Sequence, residues 1–454
     1  MTSCLVTVYI PSHNYGKFVG SAIESVLKQS LGDWELLLID DGSSDNTLEV
    51  LNLYKAHPKI RIFQTQGIGL PAVCNLAISN ANGKYLIRLD GDDLFHEDIL
   101  LVLANQLEQN PNAALAFPDY FLMDDFGDVY HHEQRERIFD GNHIADKPPN
   151  GAGTLMRMSI LKDLGGYRED LGAQDGLDIW TRIENKFAVK NVNLPLFYYR
   201  RHDSNLTKNS YRITAARRQI KKDAIAKEYG DNHPITAIIP CRENFDFRTN
   251  LWDAKVGSST LLERDIKVCL ASDLIDHVIV ACDNEAAKNT VNKFNDPRLS
   301  FFLRDMKSTI RSSNIVPTIN AILEKVVQPS INGITVIRYI QTPFVTSGTL
   351  DESISSLILN EVDSSLGVRP IKSSLFKRTR NGLDSLNSHQ RIATDLDEFY
   401  VDSQTFSATR NRCLQKGSVI SASAVCFEVS EKESFFINSE EDLIIANSLV
   451  KNDT

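Results

Sequence analysis

Short apolar runs alternate along the chain with stretches whose apolar residues recur at helical spacing. Residues 5–10, 34–39, 60–63 and 85–89 have the length and composition of strands, whereas residues 15–29, 46–54 and 71–79 carry their apolar side chains every three to four positions. The alternation predicts an α/β fold with parallel strands joined by crossover helices. In such a sheet, ligands are expected at the carboxyl ends of the strands.

Near residue 208 the pattern changes. A basic helical stretch, Lys208-Asn-Ser-Tyr-Arg-Ile-Thr-Ala-Ala-Arg-Arg-Gln-Ile-Lys-Lys, leads to the turn formers Gly230-Asp-Asn-His-Pro. Residues 235–239 then open a second alternating series that includes residues 277–281 and 333–340. The expected organisation is a first α/β domain over residues 1–207, a basic helical linker over 208–234 and a second α/β domain over 235–454. The length of 454 residues agrees with this, because single cores rarely organise more than about 100–200 residues. No internal repeat relates the two halves.

Composition excludes several classes. With 42% hydrophobic and 24% charged residues, both halves should fold. The 49 basic and 59 acidic side chains give a net charge of -10, which disfavours nonspecific binding to nucleic acid or to an anionic membrane. The start, MTSCLVTVYIPSHN, lacks a basic region followed by an apolar core, and no apolar run approaches the ~20 residues that span a bilayer. A cytoplasmic protein is expected, and seven cysteines without a CxxC pair fit a reducing compartment. Residues 212–222 are basic enough to touch headgroups at the inner face of the membrane, although a solvated linker helix explains them equally well. A homo-oligomer is compatible with the sequence, which does not fix the oligomeric state.

The chemistry concentrates at Leu86-Ile-Arg-Leu-Asp90-Gly-Asp92-Asp93, where three carboxylates crowd into four positions after a strand. Such charges repel unless a cation sits among them, and hard oxygen ligands suit Mg2+ or Mn2+ carrying substrate phosphates. The bland alternative is a polar loop capping the next helix, residues 97–107.

Context favours the cation. The segments Val8-Tyr-Ile-Pro11-Ser-His-Asn14-Tyr, Leu38-Ile-Asp40-Asp41-Gly42-Ser43-Ser44-Asp45-Asn46-Thr47, Asn75 and the Asp90 loop, in this order, resemble the family 2 glycosyltransferases of the GT-A fold. The resemblance continues through Gly153-Thr-Leu-Met-Arg157, Gly165-Gly166-Tyr167, Gln174-Asp175-Gly-Leu-Asp178-Ile-Trp180 and Tyr198-Tyr-Arg-Arg-His202-Asp-Ser204, covering roughly residues 5–207.

It implies an inverting, metal-dependent transferase that moves a sugar from a nucleotide-sugar donor, UDP-linked by preference, to a glycan or lipid-linked acceptor in bacterial surface polysaccharide synthesis. Pro11, Asn14, Asp41 and Asp90 would line the nucleotide pocket, and Asp90 and Asp92 would hold Mg2+ or Mn2+, with His202 a further ligand or phosphate contact. Asp175 would be the general base that takes a proton from the acceptor hydroxyl. Asp178 rivals it, because Gln174-Asp175 stands where the family has Glu-Asp. The bland alternative for the 41–47 segment is a helix cap from Ser44 or Asp45, and for Asp175 or Asp178 a cap of the helix around Trp180. One departure stands out: the family's Ala-Arg-Asn reads Val73-Cys74-Asn75, so an arginine expected near the donor phosphates is missing.

Residues 235–450 resemble, more weakly, the cytidylyltransferases that activate acidic sugars, through Ala237-Ile-Ile-Pro240-Cys-Arg242, Ile275-Asp-His-Val-Ile-Val-Ala-Cys-Asp283, Ile340-Gln341-Thr-Pro343 and Ser439-Glu-Glu-Asp442. The family's phosphate loop is here Glu243-Asn-Phe-Asp246-Phe, and its metal-binding Asp-x-Asp is Phe436-Ile-Asn438. The resemblance implies a degenerate, non-catalytic relative of a nucleotidyltransferase. An active cytidylyltransferase domain, and a scaffold with both sites dead, stand as alternatives.

Overall fold

The computed structural model describes residues 4–135, 151–171, 173–184, 186–202, 210–228, 234–305, 315–326, 330, 332–371, 374–380, 382–386 and 399–451. The motif residues Asp203 and Ser204, the linker's Lys208 and the turn formers at 230–233 lie outside these. The chain divides into two compact units, Met1–Asp140 with Lys147–Ile220, and Gly141–Asp146 with Lys221–Thr454.

The first unit contains β1 (Val6–Ser12), α1 (Val19–Leu27), β2 (Trp34–Asp41), α2 (Thr47–Asn52), β3 (Ile60–Thr65), α3 (Leu70–Asn80), β4 (Tyr85–Arg88) and β5 (Leu94–Phe95). It continues with α4 (Ile99–Gln109), β6 (Ala113–Met123), β7 (Val129–Glu133), β8 (Leu155–Arg157), α5 (Met158–Asp163), α6 (Asp175–Glu184) and β9 (Ala188–Arg200). Its sheet runs β3-β2-β1-β4-β8-β6-β9-β5, with β7 on β6. The first four strands are parallel, as the alternation predicts. Beyond β4 the sheet is mixed, because β8 runs antiparallel to both β4 and β6 while β6 and β9 are parallel.

The strand sequence explains its place. All seven residues of β1 are buried, as helices on both faces of a parallel sheet require. Val6, Val8, Ile10, Leu36 and Leu38 pack with Ile23 of α1 and Leu103 of α4. The alternate residues Tyr9, Leu37 and Ile39 pack with Ala77 of α3, Leu161 of α5 and Ile183 of α6. Each fully buried aliphatic side chain contributes about 1.5–3 kcal/mol.

The helix starting at Tyr15 in the sequence reading begins only at Val19. Asn14 takes the left-handed backbone (φ 60°), and a turn at Tyr15 accepts the Phe18 and Val19 N–H groups at 2.9 Å before α1 starts. That turn leaves residues 14–16 free to bond the loop after β2. Because β2 and β3 lie on one side of β1 and β4 on the other, the crevice between the carboxyl ends of β1 and β4 is the sheet's topological switch point.

In the second unit the strands Leu299–Leu303, His277–Cys282, Ile235–Pro240 and Ile334–Arg338 are parallel neighbours in that order. Phe399–Arg410 then runs antiparallel to Ile334–Arg338 and to Ser364–Ile371, which pairs with Ala424–Glu428. The helix Leu261–Leu270 opens with a Thr260/Glu263 capping box. The expected basic helix spans Ser210–Glu228. Its Lys221, one of the residues considered for headgroup contact, is buried with Nζ 3.0 Å from Ser356 Oγ, and Lys222 pairs with Asp273. No helix among the described residues is long and apolar enough to cross a membrane.

Candidate active site

Most of the residues singled out in the first half lie at the carboxyl ends of β1, β2 and β4. Pro11 and Ser12 end β1, paired with Ile39 and Asp40 of β2. Pro11 is buried and withholds an N–H from the ladder where the strand meets the crevice. Asn14 ties the two loops together: its Oδ1 accepts from Ser44 N (2.8 Å) and Asp45 N (3.3 Å), and its own N–H donates to Ser43 Oγ at 2.9 Å. Asp45 accepts from Thr47 N at 2.9 Å and so serves the start of α2, as the bland reading of that segment held.

Asp41 is buried and held by three hydrogen bonds. Its carboxylate accepts from the Thr65 hydroxyl (2.6 Å), Ile68 N (2.7 Å) and Gly69 N (2.8 Å). Burial raises its pKa, but those hydrogen bonds outweigh it and hold the carboxyl below its ordinary range. Asp41 thus fixes the turn before α3, where Gly67 and Gly69 both take positive φ.

The acidic loop after β4 does not cap a helix. The N-cap of α4 is Asp98, which itself makes no side-chain cap bond. Asp92 is 5% exposed, and its Oδ2 lies 2.8 Å from His202 Nε2. His202 stacks on Phe18 with ring centroids 5.3 Å apart and meets Tyr15 edge-on. Burial, then the carboxylates of Asp92, Asp90 and Asp93, push the Tyr15 hydroxyl up, so it faces them as a protonated donor. Arg200 Nε donates to the Asp92 carbonyl (2.8 Å), and the Arg200 N–H donates to Asp93 Oδ1 (2.8 Å). A Cβ at Gly91 would stand 3.2 Å from both Ser12 Oγ and the Tyr15 ring, so the glycine lets this loop close on β1.

Asp90 and Asp175 meet through Arg88. Arg88 Nε forms an ion pair with Asp90 Oδ1 at 3.0 Å without hydrogen-bond geometry, whereas its Nη1 hydrogen-bonds Asp175 Oδ2. Burial, and next the neighbouring Asp92 and Asp175, push Asp90 up to about 6 against the pull of Arg88. Asp175 is the first residue of α6, and the preceding Gln174 is held in the left-handed region (φ 63°), which turns the helix start toward β4. Asp178 goes elsewhere: it is 3% exposed and its Oδ2 binds Arg182 Nη2 at 2.5 Å, one turn along the same helix. Burial raises its pKa in spite of Arg182. The geometry therefore separates the two candidate bases.

Reading the sequence missed Arg88, Tyr15, Phe18, Ser12 and Arg200 as members of this cluster. For Arg88 a signal existed, since a charged residue inside a four-residue buried strand needs a partner.

The residues present fit a divalent cation. Ser12 Oγ and Asp93 Oδ2 are buried at this strand end without a hydrogen-bond partner. Asp92 and His202 already stand side by side. Among the described residues, however, no three His, Cys, Asp or Glu side chains are gathered as a ready metal cage.

At the strand ends of the second unit, Asp283 Oδ1 accepts from Glu243 N at 2.6 Å, Arg242 lies over the Phe245 ring and 3.6 Å from Asp246, and Asn438 N donates to Asp442 Oδ2 at 2.8 Å. These polar residues are engaged with their own loops.

Comparison with known proteins agrees with the first unit's architecture. Residues 7–165 match Glycosyl transferase family 2. The Bacillus subtilis protein named Putative glycosyltransferase EpsE is 30% identical over 213 residues, which cover 45% of this chain and 76% of EpsE. An uncharacterized glycosyltransferase of Rickettsia felis is 31% identical over 194 residues, and the chondroitin synthase of Escherichia coli 32% over 190, each across 42% of this chain. The match spans 32% and 28% of those two relatives, about a third of their length. Among solved structures, S. aureus TarS in complex with UDP-GlcNAc aligns with a TM-score of 0.42 and 17% identity over 49% of this chain and 66% of its own. With its signature segments ordered around one switch-point crevice and a relative matched over most of its length, the chain belongs to glycosyltransferase family 2.

Proposed function

We propose that the first unit transfers a sugar from a nucleotide-sugar donor, UDP-linked by preference, to a glycan or lipid-linked acceptor, with inversion at the anomeric carbon. The observation that carries the reading is the convergence of Asp90, Asp92 and Asp175 on one strand end, with His202 on Asp92 and Arg88 between Asp90 and Asp175. Pro11 and Asn14 line the nucleotide side, and Asp41 shapes the turn that closes it and faces the base. Asp92, His202 and Asp90, once released from Arg88, would hold Mg2+ or Mn2+, which neutralises the charge of the departing diphosphate.

Asp175 takes the proton of the acceptor hydroxyl as that oxygen bonds to the anomeric carbon. The bond from that carbon to the diphosphate breaks, and its electron pair leaves with the nucleoside diphosphate. Asp178, sealed against Arg182, supports α6 instead. The chondroitin synthase among the relatives supports an acceptor in polysaccharide synthesis, and the reading carries with it a cytoplasmic protein that works at the inner face of the membrane where the acceptor is lipid-linked.

Residues 235–454, preceded by 208–234 as a linker, are in this reading a degenerate, non-catalytic relative of cytidylyltransferases, since Glu243, Asp246 and Asn438 stand where phosphate and metal contacts are needed. The test is release of nucleoside diphosphate from a panel of nucleotide sugars with and without Mn2+. Release that needs Mn2+ and is lost in Asp92→Ala is the expected result. Release of pyrophosphate from CTP and an acidic sugar, unaffected by Asp92→Ala, would move the chemistry to the second unit and overturn the assignment.

A further inference from the structure

Arg88 occupies a place that ordinary fold maintenance does not explain. Its side chain is 7% exposed at the end of β4, where apolar residues would satisfy the strand. Yet it faces two carboxylates that come from different elements, Asp90 on the loop after β4 and Asp175 on the first turn of α6. Its Nη1 also lies 4.0 Å from Cys74 Sγ, on the turn of α3 where the resemblance led one to expect an arginine. Cys74 is buried and accepts from the Tyr9 hydroxyl at 3.2 Å, and burial, foremost, pushes its thiol up to about 12, so it carries no charge of its own.

The backbone is fitted to this arrangement. A Cβ at Gly151 would stand 2.9 Å from Arg88 Nη2 and 3.1 Å from Asp175 Oδ2, and Gly153 N bonds the Arg88 carbonyl at 2.9 Å. Gly151 therefore packs directly onto the guanidinium, while Gly153 holds the Arg88 backbone.

We propose that Arg88 is a positioning residue that couples the donor-side carboxylate Asp90 to the acceptor-side base Asp175, supplying from β4 the cation that α3 lacks at Cys74. The inference rests on the glycosyltransferase reading above and deepens it. A guanidinium is a rigid fork whose separate nitrogens can hold two carboxylates in fixed relation, which a lysine ammonium on a flexible stem cannot do. A donor diphosphate and its cation, when bound, would compete with Arg88 for Asp90. The guanidinium then remains on Asp175 alone, and the base is oriented in the state in which the donor is loaded.

The test is steady-state transfer kinetics of the full chain with the donor that wild type uses, for Arg88→Lys, Arg88→Met, Arg88→Met/Cys74→Arg and Gly151→Ala, each first checked for a cooperative melt. Misplacing a reacting group by about 1 Å can cost about 100-fold in rate. Arg88→Met is expected to lose about 100-fold in kcat with donor KM changed less than about threefold. Arg88→Lys should lose about tenfold, and Cys74→Arg in the Arg88→Met background should recover about tenfold by returning a guanidinium from α3. Gly151→Ala, which keeps every charge, should lower kcat without raising donor KM. Folded Arg88→Met and Gly151→Ala proteins with wild-type kcat would overturn the proposal while leaving the transferase reading intact. A wild type inactive with every nucleotide sugar would instead sink that reading.

Discussion

Each unit ends a central strand on a buried arginine, and the two arginines have opposite surroundings. Arg88 closes β4, parallel to β1; Arg338 closes Ile334–Arg338, parallel to Ile235–Pro240. The Arg338 side chain is 0% exposed, binds Asp265 Oδ1 at 2.9 Å and the Thr405 carbonyl at 2.8 Å, and reaches Thr342. Asp265 is sealed with it, at 2%. Arg88 meets two carboxylates that stay 28% and 14% exposed, and Asp92 and Asp93 lie beside them. One arginine is matched inside the core; the other sits in a surplus of negative charge that opens to solvent. A buried ion pair whose charges balance is a structural device, whereas an acidic strand end with more carboxylates than arginines is suited to a cation.

The sharpest way to break this contrast is to remove one partner from each. Asp265→Ala leaves Arg338 buried and unpaired, and is expected to cost about 3–5 kcal/mol in urea unfolding. Its folded fraction should bind nucleotide as wild type does, because the change lies in the other unit. Asp175→Asn is expected to do the reverse, lowering kcat about 10³-fold while donor affinity and unfolding midpoint change little.

Acidity sharpens the comparison further. Asp90 is pushed up to about 6 in the folded chain, whereas an unfolded aspartate titrates near about 3.9. Between these values the folded state holds the extra proton, so the metal-free protein gains stability as pH falls from about 6 toward about 4. Cation-dependent nucleotide binding needs the ionised carboxylate and should weaken below pH 6 by at most about tenfold per pH unit. Calorimetry across that range should show the slope flattened in Asp90→Asn. The smallest effect belongs to Asp178→Asn, which leaves Arg182 bonded to the Leu164 and Gly166 carbonyls. It should cost about 1–2 kcal/mol in stability and leave kcat within about twofold.

Much of the first unit was legible because parallel strands buried on both faces are continuous apolar runs. Residues 34–39 and 60–63 fall within β2 and β3, each of which extends two residues further. Asp90 and Asp92 were legible because charge crowded after a strand has few structural uses. The mixed half of the sheet was not, since β8 is three residues long and pairs with strands distant in sequence. The different surroundings of Asp175 and Asp178 could not be read from spacing alone. The division depends on which arginine each meets, and Arg88 lies 87 residues from Asp175. Cys74 stands where the resemblance implies an arginine, and the Arg88 guanidinium from β4 lies 4.0 Å from its sulfur, a neighbour that spacing does not reveal.

The central claim is that the strand end carrying Asp90 and Asp92 binds a nucleotide through a divalent cation. Calorimetric titration of UDP into the full chain, with and without Mn2+, in wild type and in Asp92→Ala, tests it most directly. Binding that appears only with Mn2+ and disappears in Asp92→Ala is the predicted result. Mn2+-independent binding that survives in Asp92→Ala would contradict the account.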